Sequence, residues 1–477
     1  MKYIILSIFA VFGGLSMQAQ ITNPGFESIE NGIASGWKYK AGNPYQIKAD
    51  SSTSHSGSRS LTISAENATS DQVQTFSQRV SVPGKGLRNI ELSTYIKSEN
   101  INGDIIFWNQ VRKDEKTMID FANSSMQNKI MVNTDWKKYT LEFTVDDDTQ
   151  YFVMGGLLSG SGKVWFDDFA VTEVPFSTIP SSKIALDYIN EFKNIVKKNS
   201  IYKEKIDWKL LDANLQKISM NMQTAEDTTP ALQYILKALK NVGDNHSFID
   251  NKEKAEQKRT SNFIGKEPES KLIDQNIGYV MVPAYSSVNK EVGNAFAEKI
   301  QQMIKKLDSE NSVKGWIVDL RTNTGGNMYP MIVGLGPLIG NGILGYFTDG
   351  SKKKSWKYQD GKSYDIKVPN PYSIKNPNQK IAVLIGPRTA SSGEATAISF
   401  IGKSNVKTFG QPSAGYTSAN QDYQLSDGKT FHLAASFEMD RNGKEYTEKI
   451  QPDYPVESIK ESNTDADILS ASKWILE

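Results

Sequence analysis

Ile381-Ala-Val-Leu-Ile-Gly-Pro-Arg-Thr-Ala-Ser-Ser-Gly-Glu394 is the stretch whose reading decides the fold of the second half of this chain. Ile381 to Ile385 is an unbroken apolar run, as expected of a parallel strand buried on both faces. Gly386 and Pro387 end the strand. Small residues follow from Thr389 to Gly393, and Glu394 to Ile401 reads as a helix. A strand, a tight turn and a helix hold a serine at a helix N-terminus, where free N–H groups and the helix dipole favour negative charge. An oxyanion formed on an acyl group attacked by Ser391 would meet the Ser392 N–H. Small polar residues at such a turn are also ordinary capping chemistry. The rest of the chain must therefore supply a base, an orienting group and a second amide donor.

Upstream, Ile277 to Pro283 reads as a strand, and Val288 to Leu307 as a helix with Val292, Phe296, Ile300, Met303 and Ile304 on its apolar face. Trp316 to Leu320 is a second buried strand, ending in Arg321-Thr-Asn-Thr-Gly-Gly326. Gly325 and Gly326 permit positive φ and close backbone approach, so either can present an N–H to a substrate oxygen. Residues 345 to 378 form a polar, aromatic insertion, read as a lid or a solvated loop. With Val406 to Phe409 as a further strand, the alternation predicts an α/β domain over 265–477.

A base must come from three histidines, at 55, 246 and 432. His55 sits in a turn-like His-Ser-Gly and His432 in a predicted strand. Only His246 follows a predicted helix, in Asn241-Val-Gly-Asp-Asn-His-Ser-Phe248, where a loop can present it to a cleft. That helix begins at Thr229-Pro230, which have N-cap and N1 character. An earlier helical face carries Ala185, Ile189, Phe192 and Val196. Residues 183–264 thus read as a helical region carrying His246, with a charged, mobile connector over 251–270.

Residues 21–174 read as all-β, with alternating segments such as Gln72–Val80 and Tyr139–Val145 between Gly, Asn, Asp and Ser clusters. Asn23-Pro-Gly-Phe-Glu27, Gly36-Trp37, His55 to Leu61, Trp136 to Thr140 and Val164-Trp-Phe-Asp-Asp168 occur in an order that resembles jelly-roll, carbohydrate-binding-module-like domains of secreted enzymes. That resemblance implies possible glycan contact, with Trp37, Trp108, Trp136 and Trp165 as stacking candidates against a core role. It also implies a structural calcium held by Glu27 and Asp168 with backbone carbonyls. A Pro/Ser linker over 175–182 follows.

The chain has 477 residues, a net charge of +1 and no cysteine. That excludes disulfides, thiolate metal sites and a cysteine nucleophile, and indicates no nucleic-acid partner. Residues 1–19 read as a cleavable signal peptide, with Lys2, an apolar core from Tyr3 to Leu15 and Met17-Gln-Ala19 before the cut. The expectation is a secreted or periplasmic protein without a membrane span.

Gly243 to Ser247, Ile277 to Tyr279, Asp319 to Gly326, Thr389 to Glu394, Gly410 to Gly415 and Ile450 to Asp453 together resemble the S41 serine peptidases. That family includes C-terminal processing peptidases and tricorn-type and nisin-resistance-type members. The resemblance implies a ClpP/crotonase-like α/β catalytic domain behind the β-sandwich and helical region. It implies Ser391 as nucleophile, with the amides of Ser392 and of Gly325 or Gly326 as oxyanion donors, and no cofactor for catalysis. The processing peptidases place a lysine base near the position of Tyr416. No lysine stands there, so the chain resembles the histidine-using branch, with His246 as base. Glu448 is the expected third member; Glu394, Glu445 and Asp244 are further candidates. The expected function is hydrolysis of a polypeptide substrate. The alternatives are a non-catalytic ligand- or polysaccharide-binding envelope protein and a carbohydrate esterase using the same serine.

Overall fold

The computed structural model describes residues 21–477, apart from 41, 126, 128, 253–255, 257–265, 275 and 458–464. The predicted signal peptide and most of the predicted mobile connector lie outside the described residues. The described residues pack as two units, one within 21–190 and 206–242, the other within 191–205 and 243–477.

The first unit holds the expected jelly-roll β-sandwich. One five-stranded sheet runs Lys137–Val145, Arg88–Asn102, Ser161–Val174, Ser60–Ala65, Gln46–Asp50. The other runs Lys38–Tyr39, Val73–Ser81, Tyr151–Ser159, Ile105–Arg112, Met118–Asn123. Neighbouring strands are antiparallel in both sheets. Alternation along Val73–Ser81 sends Phe76 and Val80 inward and leaves Val73 exposed. Phe26, Trp37, Phe76, Phe166 and Phe169 pack edge to face or tilted in the core, with centroids 4.8–6.0 Å apart. Trp37 is therefore core, its indole N–H donating to Asn23 O at 2.9 Å. Trp165 is also buried, its N–H on Asp50. Neither ring is open to a sugar; Trp108 and Trp136 are half-buried.

Helices Trp208–Ile218 and Thr229–Asn241 belong to this same unit. Lys237 lies on the buried side of the second helix, 1 % exposed, and meets Asp146 at 3.0 Å. Asp146 also accepts from Tyr234, and Asn241 donates to Asp148. The stretch set apart in sequence as one helical region is thus divided between the two units: 206–242 packs in the first, and the His246 segment in the second.

The second unit is built on the predicted parallel sheet. Its order is Glu269–Ile273, Ile277–Met281, Gly315–Asp319, Lys380–Ile385, Val406–Gly410, Tyr454–Pro455. The first pair is antiparallel and the others are parallel. Ile381 to Ile385 are all fully buried. Ile381, Val383 and Ile385 face a core shared with Phe296 and Ile300 of helix Lys290–Glu310. Ala382 and Leu384 face Ala471 and Ile475 of helix Ala466–Leu476. Covering both faces is what removes the alternation, and each buried Val, Leu or Ile side chain contributes about 1.5–3 kcal/mol by leaving water.

A second, antiparallel sheet runs Phe248–Asp250, Thr430–Asp440, Gly342–Thr348, Lys353–Tyr358, with Ser418–Gln424 and Glu445–Tyr446 also on Thr430–Asp440. This corrects the reading of 345–378 as a lid or solvated loop. Gly342–Thr348 and Lys353–Tyr358 are paired strands, and Trp356 and Tyr358 are buried in the main core.

Candidate active site

Ser391 stands where the Lys380–Ile385 strand has turned into helix Ser392–Ile398, as that helix's N-cap. Its backbone has φ 54° and ψ −124°, and it is the only serine with positive φ among the described residues. A β-carbon makes this conformation costly, by about 1–3 kcal/mol, so surrounding contacts must enforce it. Three sets of contacts do so. Thr389 Oγ1 donates to Leu320 O and accepts from Gly386 N–H. The Ala390 N–H donates to Asn323 O at 3.0 Å. The Ser391 N–H donates to Glu394 Oε2 at 2.8 Å, the carboxylate half of a capping box.

Asn323 is the bracket between the two loops. It is fully buried, and its amide donates to Val282 O and Pro283 O, each at 3.1 Å. Its Oδ1 accepts the Gly325 N–H at 3.0 Å. The glycines then approach the serine. Gly325 has φ 102°, and a β-carbon on it would lie 2.9 Å from Ser391 Cβ and 3.1 Å from Ser392 N. Gly326 has φ 109°, and a β-carbon there would strike Tyr285 O at 2.1 Å. Ser392 Oγ donates to Gly326 O at 2.6 Å. The three expected oxyanion residues are thus gathered beside Ser391. The Gly325 amide is already donated to Asn323; among the described residues no acceptor meets the amide of Gly326 or of Ser392.

His246 sits in a loop braced by Asp244, which accepts the N–H of His246 and of Ser247 and the Ser247 hydroxyl. His246 Nδ1 lies 2.8 Å from Ser418 O and 3.1 Å from Ser418 Oγ. A carbonyl accepts only, so Nδ1 carries the proton and Nε2 the lone pair. Burial lowers the imidazole to about 4, against the Ser418 carbonyl and with a small push from His432. The ring is neutral at neutral pH and stacks on Tyr416, with centroids 5.5 Å apart.

Glu394 connects the two halves. It is fully buried and accepts from Ser391 N, Ser413 Oγ, Gly415 N and Tyr416 N. From Tyr416 the chain runs two residues to Ser418, the partner of His246. Burial raises the Glu394 carboxyl, and its hydrogen bonds oppose that. Glu394 is therefore a brace for the serine turn and not a partner of His246.

Glu448, the expected third member, is exposed. Its backbone carbonyl takes the Thr417 hydroxyl at 3.1 Å, and the atoms on His246 Nδ1 are those of Ser418. Glu445 is likewise exposed. In the sandwich, Glu27 accepts from Ser58 N, Ser58 Oγ and Arg59 N, while Asp168 meets His55 Nδ1 and Ser56 Oγ. Both carboxylates are engaged by nitrogen and hydroxyl groups. No three Asp, Glu or His side chains gather to hold an ion among the described residues.

The residues missed in sequence are Ser418, Ser413 and Asn323. Asn323 and Ser413 lay inside quoted motifs, but nothing local marks an asparagine or serine as a bracket. Ser418 acts partly through its carbonyl, which every residue type has.

Residues 276–456 match the model of peptidase family S41. A nisin-resistance protein of Lactococcus lactis subsp. lactis is 32% identical over 305 residues, 63% of this chain and 90% of that protein. The carboxy-terminal processing protease CtpA of Bacillus subtilis (strain 168) is 26% identical over 168 residues, 35% of this chain and 32% of that one. A solved lipoprotein structure from Streptococcus agalactiae is similar at 27% identity and a TM-score of 0.49, covering 62% of this chain and 97% of that one. The chain belongs to peptidase family S41.

Proposed function

We propose that the protein is an exported serine peptidase that cleaves polypeptides through an acyl-enzyme. Ser391 Oγ attacks the scissile carbonyl. His246 Nε2 takes the hydroxyl proton and later returns it to the leaving amine. The Ser418 carbonyl orients the imidazole and stabilises the imidazolium in place of a carboxylate. The Ser392 and Gly326 amides receive the oxyanion. The observation that carries this reading is the backbone of Ser391, held at φ 54° between a helix N-terminus and the Gly325-Gly326 loop. Strained backbone of this kind clusters at active sites. Kinship with a nisin-resistance protein and a processing protease supports a polypeptide substrate. Export rests on residues 1–19 read as a signal peptide; no helix among the described residues is long and apolar enough to cross a membrane. Glycan contact through the sandwich is part of the same proposal, with half-buried Trp136 as the aromatic to change.

The test is cleavage of an unfolded polypeptide panel by wild type and Ser391→Ala. Cleavage is expected to vanish in the variant. Equal cleavage by both would reject the assignment, and ester but no peptide hydrolysis by wild type would redirect it to an esterase.

A further inference from the structure

One buried acid next to this apparatus has no part in the chemistry above. Glu438 lies on strand Thr430–Asp440, 3 % exposed, with its backbone N–H on Thr417 O at 3.0 Å. Its Oε2 is buried with no hydrogen-bond partner among the described residues. Its strand packs against helix Ser392–Ile398, whose Glu394 accepts the N–H of Tyr416, the residue next to the Thr417 carbonyl that takes the Glu438 N–H. Glu394 receives four donors, three N–H groups and one hydroxyl, and an acceptor-only carboxylate suits that set. Two neighbouring carboxyls in a buried site do not both ionise.

The elements packed on the Glu438 strand bring no counter-charge. Glu445–Tyr446 sets Tyr446 opposite Glu438, its hydroxyl on Asp440, with the Lys444 ammonium over that ring at 5.1 Å. Exposed Glu445 stands opposite Met439. Gly342–Thr348 sets Phe347 opposite Glu438 and Tyr346 opposite Met439. Asp422, on Ser418–Gln424, and Asp250, on Phe248–Asp250, both hold His432 on this same strand, six residues before Glu438 in sequence. Arg441, at the near end, gives its guanidinium to Ser399 O. Among the described residues no Lys, Arg or His forms an ion pair with Glu438.

We propose that Glu438 is a positioning residue that keeps its proton, so that Glu394 is the sole anion of the pair and holds the Ser391 turn and the Tyr416 loop together. This rests on the serine-hydrolase reading for its purpose, not for its geometry. Burial raises the Glu438 carboxyl well above the usual range, and the Glu394 charge acts in the same direction. Loss of that proton at alkaline pH places a second negative charge beside Glu394. Repulsion then loosens the acceptor that fixes the Ser391 and Tyr416 amides.

The test follows the proton and the turn separately. Infrared difference spectra from neutral to alkaline pH report a buried protonated carboxyl. Amide NMR signals of Ser391 and Tyr416 report the turn. In wild type the carboxyl band should be present at neutral pH and bleach as the two amide signals shift. Glu438→Gln should lack the band and hold both amide signals steady. Glu438→Met, of similar size, should do the same and serves if E438Q does not fold. A band that persists in E438Q, or amide shifts identical in wild type and E438Q, would overturn the proposal. Failure of wild type to hydrolyse peptides, with these spectra as expected, would strike the peptidase reading and leave the carboxyl pair standing.

Discussion

His246 is neutral because its surroundings refuse the charge. Burial lowers it to about 4 from an ordinary 6.5, and the Ser418 carbonyl fixes which nitrogen is free. The acid limb of kcat/KM is therefore expected near pH 4, since activity needs the deprotonated ring and falls as pH drops through that value. A profile falling near 6.5 would contradict the burial argument. Stability follows the same sign: the unfolded chain takes its proton first, so His246 erodes stability as pH falls from 6.5 to about 4. Removing the base, His246→Ala, should cost about 10²–10⁴ in kcat. Gly326→Ala meets Tyr285 O and an unfavourable φ at once; displacement of its N–H from the oxyanion position should cost about 10²–10³ in kcat, read with a melting curve to separate misfolding. The turn that presents Ser391 and the loop that carries His246 were legible in sequence because a strand, small residues and a helix make a local pattern and histidine is scarce here. Ser418 was not legible, because its carbonyl acts only once strand Ser418–Gln424 is paired and no side-chain signal announces that.

The serine turn is an element held from outside itself. Glu394 gathers four donors from two loops, so Glu394→Gln turns an amide N–H₂ toward groups that also donate. The expected cost is about 2–3 kcal/mol in stability by denaturant unfolding, with Ser391 reactivity lost before the fold. A variant as stable and reactive as wild type would show that the four bonds do not set the turn. Arg321 makes a similar brace at the end of Gly315–Asp319, gripping Asp319, Asp465 and Asp467 and so the start of helix Ala466–Leu476. Burial works against its charge, and Asp319 and Asp465 outweigh it. The parallel strands were legible because two covered faces leave a continuous apolar run. The antiparallel sheet was not: Lys353–Tyr358 reads as polar, and its two inward rings, Trp356 and Tyr358, acquire meaning only against a distant core.

At the scale of the whole molecule, the chain divides into two units. The sandwich was legible from its turn spacing, and the jelly-roll aromatics were more core than platform. The association of helix Thr229–Asn241 with the sandwich unit was hidden, because its ion pair to that unit is made by a lysine. Lys237 is 1 % exposed and meets Asp146 at 3.0 Å. Burial raises the Asp120 carboxyl nearby, with Lys237 and Lys240 opposing. Lys237→Ala leaves buried Asp120 and partly exposed Asp146 without their cation and should destabilise the unit, seen as a lower melting temperature. The serine site lies wholly in the other unit. The central claim, a histidine-activated serine, is tested most directly by mass-spectrometric mapping of a fluorophosphonate adduct on wild type, Ser391→Ala and His246→Ala proteins. The predicted result is an adduct on Ser391 in wild type, none in S391A and a much slower reaction in H246A; a folded wild type that takes no adduct, or an H246A protein that reacts as fast, would contradict it.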